Sequence, residues 1–230
     1  MLSVVIPTLD SEATLPTVLA ALVGAASQGL VRQVIISDGG SRDATLTIAD
    51  EMGCEVLRGP PGRGLQLGAG ARLASHPWLL FLHSDTVLSA GWEEDAAGFI
   101  ARNDADGTEA PQAAAFRFAL DDTARRARIL ESIVAMRCAL FALPYGDQGL
   151  LISRRHYDAL GGFGDLPLME DVDIVRRIGW RRIETLPSRA VTSAERYRRD
   201  GYALRVVRNA GCLTLYFLGM SPGRIARIYR

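Results

Sequence analysis

Four short apolar runs, LSVVI at 2–6, RQVIIS at 32–37, CEVLR at 54–58 and WLLFLH at 78–83, set the tightest limit on what this chain can fold into. All four read as strands, the first and the last of them buried, and the stretches between them switch to helical periodicity. The predicted helices are EATLPTVLAALVGAA at 12–26, RDATLTIADEM at 42–52 and GLQLGAGARLAS at 64–75. Pro7 is expected to stop the first strand, and Pro16 fits the first helix only in its opening turn. Strands that alternate with helices build an α/β architecture, a mostly parallel sheet flanked by helices. Right-handed crossovers then bring the C-terminal ends of the strands to one edge, which is where ligands bind in open α/β sheets.

Composition narrows the chemistry. The 230 residues are 48% hydrophobic, enough for one domain with a sizeable core. All 26 basic residues are arginine and are balanced by 26 acids, so no overall field favours nucleic acid. The absence of lysine excludes a P-loop, a Schiff base and a Ser-Lys dyad. Cys54, Cys138 and Cys212 are odd in number and lack a CxxC spacing. That usage fits reduced thiols and a cytoplasmic protein better than a disulfide framework or a zinc site. No basic, apolar leader precedes LSVVI, so no signal peptide is expected, and the longest apolar run, near 210–220, is too short to span a bilayer.

The polar residues that end the strands converge on the ligand edge: Asp10 and Glu12 after the first, Asp38 after the second, His83 and Asp85 after the fourth. Asp10, in LDSE, suits a helix cap as well as it suits binding. Asp38 precedes two glycines, a pattern that favours backbone held open for a ligand over a simple turn. His83 and Asp85, at i and i+2, point to one side of a strand end and together suit a divalent metal.

In order and spacing, SVVIPTLDSEATL, VIISDGGSRDAT, GRGLQLGAGARLA and WLLFLHSDT resemble the nucleotide-sugar half of family 2 glycosyltransferases, and GLLISRRHYDALGGFGDLPLMEDVDIVRRI resembles their acceptor half. The resemblance implies a GT-A fold with a Rossmann-like sheet and an inverting transfer of a sugar from a nucleoside-diphosphate donor, UDP-linked first, to an acceptor hydroxyl. It places Pro7, Asp10 and Glu12 along a uridine-type pocket and Asp38 on the base. Arg63, at a helix start, would face the diphosphate. HSD stands where the family has DxD, which implies that Asp85 holds Mg²⁺ or Mn²⁺. His83 replaces the first Asp, and an imidazole suits Mn²⁺ better than Mg²⁺. In MEDVD the second acid of the pair, Asp171, is the implied base that takes the acceptor proton, with Glu170 the close alternative.

Other segments carry less. Asp147 and Gln148, in YGDQG after the long helix ARRARILESIVAMRCALFAL, fit acceptor or sugar binding and turn chemistry equally well. SAERYRRDG lacks the Gln and Trp of the processive QxxRW pattern, though Arg196 could still reach the diphosphate. From Tyr202 the chain reads as a helix packed on the sheet or on a second subunit. Its sharper reading is a peripheral contact with the inner face of a membrane through Arg205, Arg208, Arg224, Arg227 and Arg230, consistent with a lipid-linked acceptor. The organisation expected is a single domain over 1–230: a donor half at 1–100, a surface linker at 101–112, an acceptor and catalytic half at 112–190 and a helical tail at 191–230. Two further readings are a non-catalytic nucleotide-sugar-binding protein and an oxidoreductase built on GRGLQLGAG. The dinucleotide fingerprint fails for the latter, because the glycines follow the third strand with GxGxxxGxG spacing.

Overall fold

The computed structural model describes residues 1–106, 112–141, 144–179 and 182–229. Four parallel strands form one half of the sheet: β1 (Leu2–Thr8), β2 (Val31–Asp38), β3 (Glu55–Arg58) and β4 (Trp78–Phe81). The helices between them are α1 (Leu15–Ala20), α2 (Val23–Ser27), α3 (Thr45–Glu51) and α4 (Arg63–Leu73). Next come β5 (Thr86–Leu88), α5 (Trp92–Asp106), β6 (Ala113–Leu120), α6 (Arg125–Phe141), a 3₁₀ turn (Gly146–Gln148), β7 (Leu150–Ser153) and α7 (Arg154–Ala159). The chain ends with α8 (Glu170–Ile178), β8 (Ile183–Thr192), α9 (Glu195–Asp200), α10 (Tyr202–Phe217) and α11 (Pro222–Tyr229).

Among the described residues the sheet has eight strands in the order β3-β2-β1-β4-β7-β6-β8-β5. Strand β7 runs antiparallel to both neighbours, and β8 runs parallel to β6 and antiparallel to β5. Five peptide steps from Phe81 to Thr86 reach about 18 Å at most. A flat sheet would set β5 four spacings from β4, about 19 Å away. The sheet therefore curls, and the turn at Leu82–Asp85 bridges its middle to its far edge.

Both faces of β1 and β4 are buried, which is why these strands do not alternate, whereas the edge strand β3 is mostly exposed. Val4, Ile6, Ile36 and Leu80 pack with Leu15, Trp92 and Phe99 on one side. Val5, Ile35, Leu79 and Phe81 pack with Leu67, Ala71, Ile174 and Ile178 on the other. Helix α4 lies so close to β1 that a Cβ at Gly70 would collide with Val5 Cγ1. The glycines of GRGLQLGAG thus serve packing: Gly64 meets the backbone of Gly164 and Leu166 in the same way.

Several expectations need correction. Pro7 does not stop β1, which continues to Thr8 and pairs Pro7 with Ser37. The β1–β4 pairing has ended at Val5 and Phe81, so no ladder partner misses the absent N–H on that side. The helix expected over 12–26 is two helices, because Leu22 N–H bonds to Leu19 C=O, a tighter step that breaks the α-helical run. Pro16 does sit in the first turn of α1. Residues 101–106 belong to α5 and are no part of a linker, while 107–111 of that expected segment lie outside the described residues.

Candidate active site

The ends of β1 and β4, the first turns of α4 and α8, the 3₁₀ turn and the inner side of α9 and α10 surround one cleft with two adjoining lobes. The first, about 340 Å³, is lined by Pro7, Thr8, Leu9, Gly62, Gln66 and Glu170 among others. The second, about 160 Å³, is lined by Tyr145, Asp147, Asp171, Arg205, Asn209 and Leu213 among others. Arg63, His83, Asp85, Leu168 and Arg196 border both lobes.

Where the lobes meet, Arg63 Nη1 pairs with Glu170 Oε1 at 3.1 Å. The Glu170 side chain is 2% exposed. Burial raises its pKa and outweighs the opposing pull of Arg63. Asp171 lies one position on, with Oδ2 accepting the Gly146 N–H at 2.8 Å and Oδ1 accepting its neighbour's, from Val172, at 2.7 Å. The bond from Gly146 draws the 3₁₀ turn against the start of α8. Met169, just before that helix, adopts a left-handed backbone (φ 66°), which turns both acids toward the cleft.

His83 packs against the same turn: a Cβ at Gly146 would lie 2.5 Å from its Nε2 and 3.4 Å from Asp171 Oδ2. Burial, and then the guanidinium groups of Arg63 and Arg196, hold the His83 pKa well below the usual value, so the imidazole is neutral at neutral pH. The Asp85 carbonyl accepts from Ser193 N–H, which anchors the turn after β4 to the end of β8. Asp147 Oδ1 is buried without a hydrogen-bond partner, and burial pushes its carboxyl up to about 6 against the pull of Arg137.

Among the described residues no group of three or more His, Cys, Asp or Glu side chains is arranged to hold a metal ion by itself. Asp85 and His83 offer a carboxylate and a neutral imidazole to both lobes. By donor chemistry a carboxylate and a neutral imidazole suit a divalent ion that takes its remaining ligands from elsewhere.

Other expected residues are turned away. Asp38 is 1% exposed and accepts from Thr8 Oγ1, Gly40 N–H, Ser41 N–H and Ser41 Oγ. Burial raises its pKa, but the Ser41, Gly40 and Thr8 donors more than offset this and lower it overall. Asp10 and Glu12 accept from the N–H groups of Arg42 and Ala44 and so latch the loop after β1 to the loop after β2. Of these base-pocket residues only Pro7 lines the cleft. Gln148, expected at the acceptor, is 1% exposed and turned into the core: its Nε2 donates to Phe116 C=O, and its Oε1 accepts from Tyr145 N–H.

The C-terminal region supplies what the sequence reading missed. Arg205, expected to face lipid, is 8% exposed, pairs with Asp200 and lines the second lobe together with Asn209 and Leu213. Asn209 Oδ1 is buried without a partner there. Their i, i+4 spacing was visible as one stripe of a helix, but nothing in it says which stripe faces inward.

The cleft at the strand ends of this α/β sheet thus gathers carboxylates, an imidazole and two arginines. A family model described as glycosyl transferase family 2 matches residues 3–136, more than half of the chain. The chain belongs to that family, and its fold is GT-A. Uncharacterised glycosyltransferases of Mycobacterium bovis and Mycobacterium tuberculosis are 33% identical to it over 90 residues, 39% of this chain and 38% of theirs, so the match spans well under half of those relatives. Among solved structures, S. aureus TarS (residues 1–349) superposes with a TM-score of 0.65 at 17% identity, covering 84% of this chain and 60% of that one. Glucosyl-3-phosphoglycerate synthase from M. tuberculosis, in complex with Mn²⁺, UDP and phosphoglyceric acid, gives 0.53 at 23% identity, covering 80% and 67%. Among the described residues no helix is long and apolar enough to cross a membrane.

Proposed function

We propose that the chain transfers a sugar from a nucleoside-diphosphate sugar, UDP-linked, to an acceptor hydroxyl with inversion at the anomeric carbon. Residues 1–100 carry the donor side and residues 112–190 the acceptor side. The observation that carries this reading is that Asp85 and Asp171, 86 positions apart in sequence, open onto one two-lobed cleft. UDP bound to TarS, and UDP with Mn²⁺ bound to the mycobacterial synthase, support the donor class.

In this mechanism the first lobe holds the nucleoside diphosphate and the second holds the acceptor. Arg63 and Arg196 border both lobes, where they would meet phosphate oxygens. Mn²⁺ or Mg²⁺, when bound by Asp85 and His83, supplies positive charge to the departing diphosphate. Asp171 takes the proton from the acceptor hydroxyl as its oxygen bonds to the anomeric carbon, and the nucleoside diphosphate leaves with the bonding pair. Gly146 N–H holds the Asp171 carboxylate in place for that step. Glu170, buried against Arg63, is an orienting partner and not the base. Asp10, Glu12 and Asp38 brace the two loops that flank Pro7. Asp147 Oδ1 and Asn209 Oδ1 are acceptors suited to the hydroxyls of the incoming acceptor.

The test is calorimetric titration with UDP, GDP and NAD⁺, each with and without Mn²⁺, on wild type and Asp85→Ala. Manganese-dependent binding of a nucleoside diphosphate, lost in the variant, is the expected result. Diphosphate binding indifferent to both manganese and Asp85 would remove the reading.

A further inference from the structure

Helix α10 is inverted relative to an ordinary surface helix. Its inner side carries Arg205 and Asn209 into the second lobe, and Arg205 is ion-paired with Asp200. Its outer side is mostly apolar: Leu204, Val207, Phe217 and the following Leu218 are 65%, 69%, 48% and 78% exposed, the other exposed positions are Ala, Gly and Thr, and the half-buried Arg208 pairs with Asp200. Beside it stands α6, joined to it through Leu130, Val134 and Val206 and through Arg126 over the Tyr202 ring at 4.8 Å. Helix α6 exposes its own stripe, Ile129, Ile133 and Met136, at 61%, 45% and 58%. Soluble surfaces rarely gather this many large apolar side chains on adjoining helices without a partner.

Charge decides which partner. From Gly201 to Arg230 the chain holds no acid, and although Arg205 and Arg208 pair with Asp200, Arg224 and Arg227 are exposed cations in this segment of an otherwise neutral chain. Arg224 and Arg227 on α11, which packs on α10, and Arg125 and Arg126 at the start of α6 are exposed. A second copy docked isologously would bring this acid-free segment near its own copy, where it offers the exposed arginines no acid of its own. A phosphate-bearing lipid surface supplies the missing anions and receives the apolar side chains.

We infer that the outer faces of α10 and α6 seat the protein on an anionic lipid surface, with Leu204, Val207, Leu218 and Ile133 entering the headgroup boundary and the flanking arginines meeting lipid phosphates. The expectation from sequence is thereby revised: Arg205 serves the cleft, and the apolar side of the same helix meets the lipid. Because α10 walls the second lobe, seating it brings that lobe to the lipid surface.

The experiment is co-sedimentation of the full chain with vesicles of phosphatidylcholine, with and without phosphatidylglycerol, for wild type, Leu204→Glu/Val207→Glu and, as an independent probe, Leu218→Glu. Circular dichroism verifies that each variant folds, and no nucleotide is needed, so the result is separate from the fate of the donor-site reading. Wild type is expected to pellet with anionic vesicles, to be released by salt, and to lose affinity about tenfold or more in the double variant. Wild type that stays in the supernatant, or variants that pellet equally, would overturn the inference. So would a wild-type dimer that the double substitution turns into a monomer, since the face then belongs to a second copy.

Discussion

Arg63 Nη1 stands 3.1 Å from Glu170 Oε1, an ion pair that ties the first turn of α4 to the first turn of α8. The two ends differ in environment, with side chains 40% and 2% exposed. Arg63 can be solvated without its partner, but Glu170 cannot.

Removing the arginine therefore strands a buried carboxylate. Arg63→Met is expected to lower stability at pH 7.5 by about 1–3 kcal/mol, the range for a buried acceptor left unmatched. Burial holds the Glu170 pKa above its usual value, so the ionised form is the one the fold disfavours. The cost is absent below the unfolded glutamate pKa of about 4.3 and grows as pH rises through the higher folded value. Chemical denaturation at pH 4.5 and 7.5 measures this. An equal loss at both values would show that Glu170 ionisation is not the cause, and Arg63→Met/Glu170→Gln should recover part of the stability.

Gly146 leaves no room for a side chain, since a Cβ would lie 2.5 Å from His83 Nε2. Gly146→Ala is expected to keep the fold but to displace His83 and the N–H that holds Asp171, costing UDP affinity and turnover about tenfold or more, as an ångström-scale misplacement does. Unchanged manganese-dependent UDP binding would mean that His83 has no part in the donor site.

At the base position, Asp171→Asn keeps the size and one acceptor oxygen while removing the proton-accepting carboxylate. Turnover should fall by about 10²–10⁴, the usual contribution of a positioned base, with UDP affinity within about twofold of wild type. Steady-state kinetics with a responsive acceptor, paired with UDP titration, separates the two. Loss of UDP binding instead would assign Asp171 to the donor.

Gly70→Ala forces a methyl group into Val5 Cγ1. The overpacking cost of about 1–3 kcal/mol should exceed the gain of about 1 kcal/mol from alanine's helix propensity. Val5→Ala/Gly70→Ala should be more stable than the sum of the single losses predicts, because the valine methyl that collides is gone. Strict additivity in denaturation would contradict the contact.

In the parallel half, β1 and β4 were legible because strands buried on both faces leave unbroken apolar runs, as VVI and WLLF do, whereas the exposed edge strand β3 was read from its place between two helices. The second half was less so. Strand β5 is three residues long, and β8 alternates exposed and buried positions around Pro187, so neither leaves such a run. Site residues show the same division. Asp85, at a strand end, and Asp171, singled out by the family resemblance, both line the cleft. Asp38 and Gln148 occupy equally suggestive places, yet backbone donors and acceptors nearby take up their side chains, and that competition is settled only by tertiary geometry. Arg205 was misread because an arginine on a helix is assumed to seek water, whereas here Asp200 and the cleft provide for it.

The turn Leu82–Asp85 has a consequence for the order in which the molecule matures. Strand β5 follows it at once, yet β5 pairs with β8, where Thr86 and Thr192 share a hydroxyl contact over a separation of 106 residues. In a nascent chain with only its first hundred residues emerged, β4 still lacks its neighbour β7 as well. Such a chain cannot pin Asp85, because Ser193 has yet to be translated. The turn after β4 thus gains this anchor only once the end of β8 has been made.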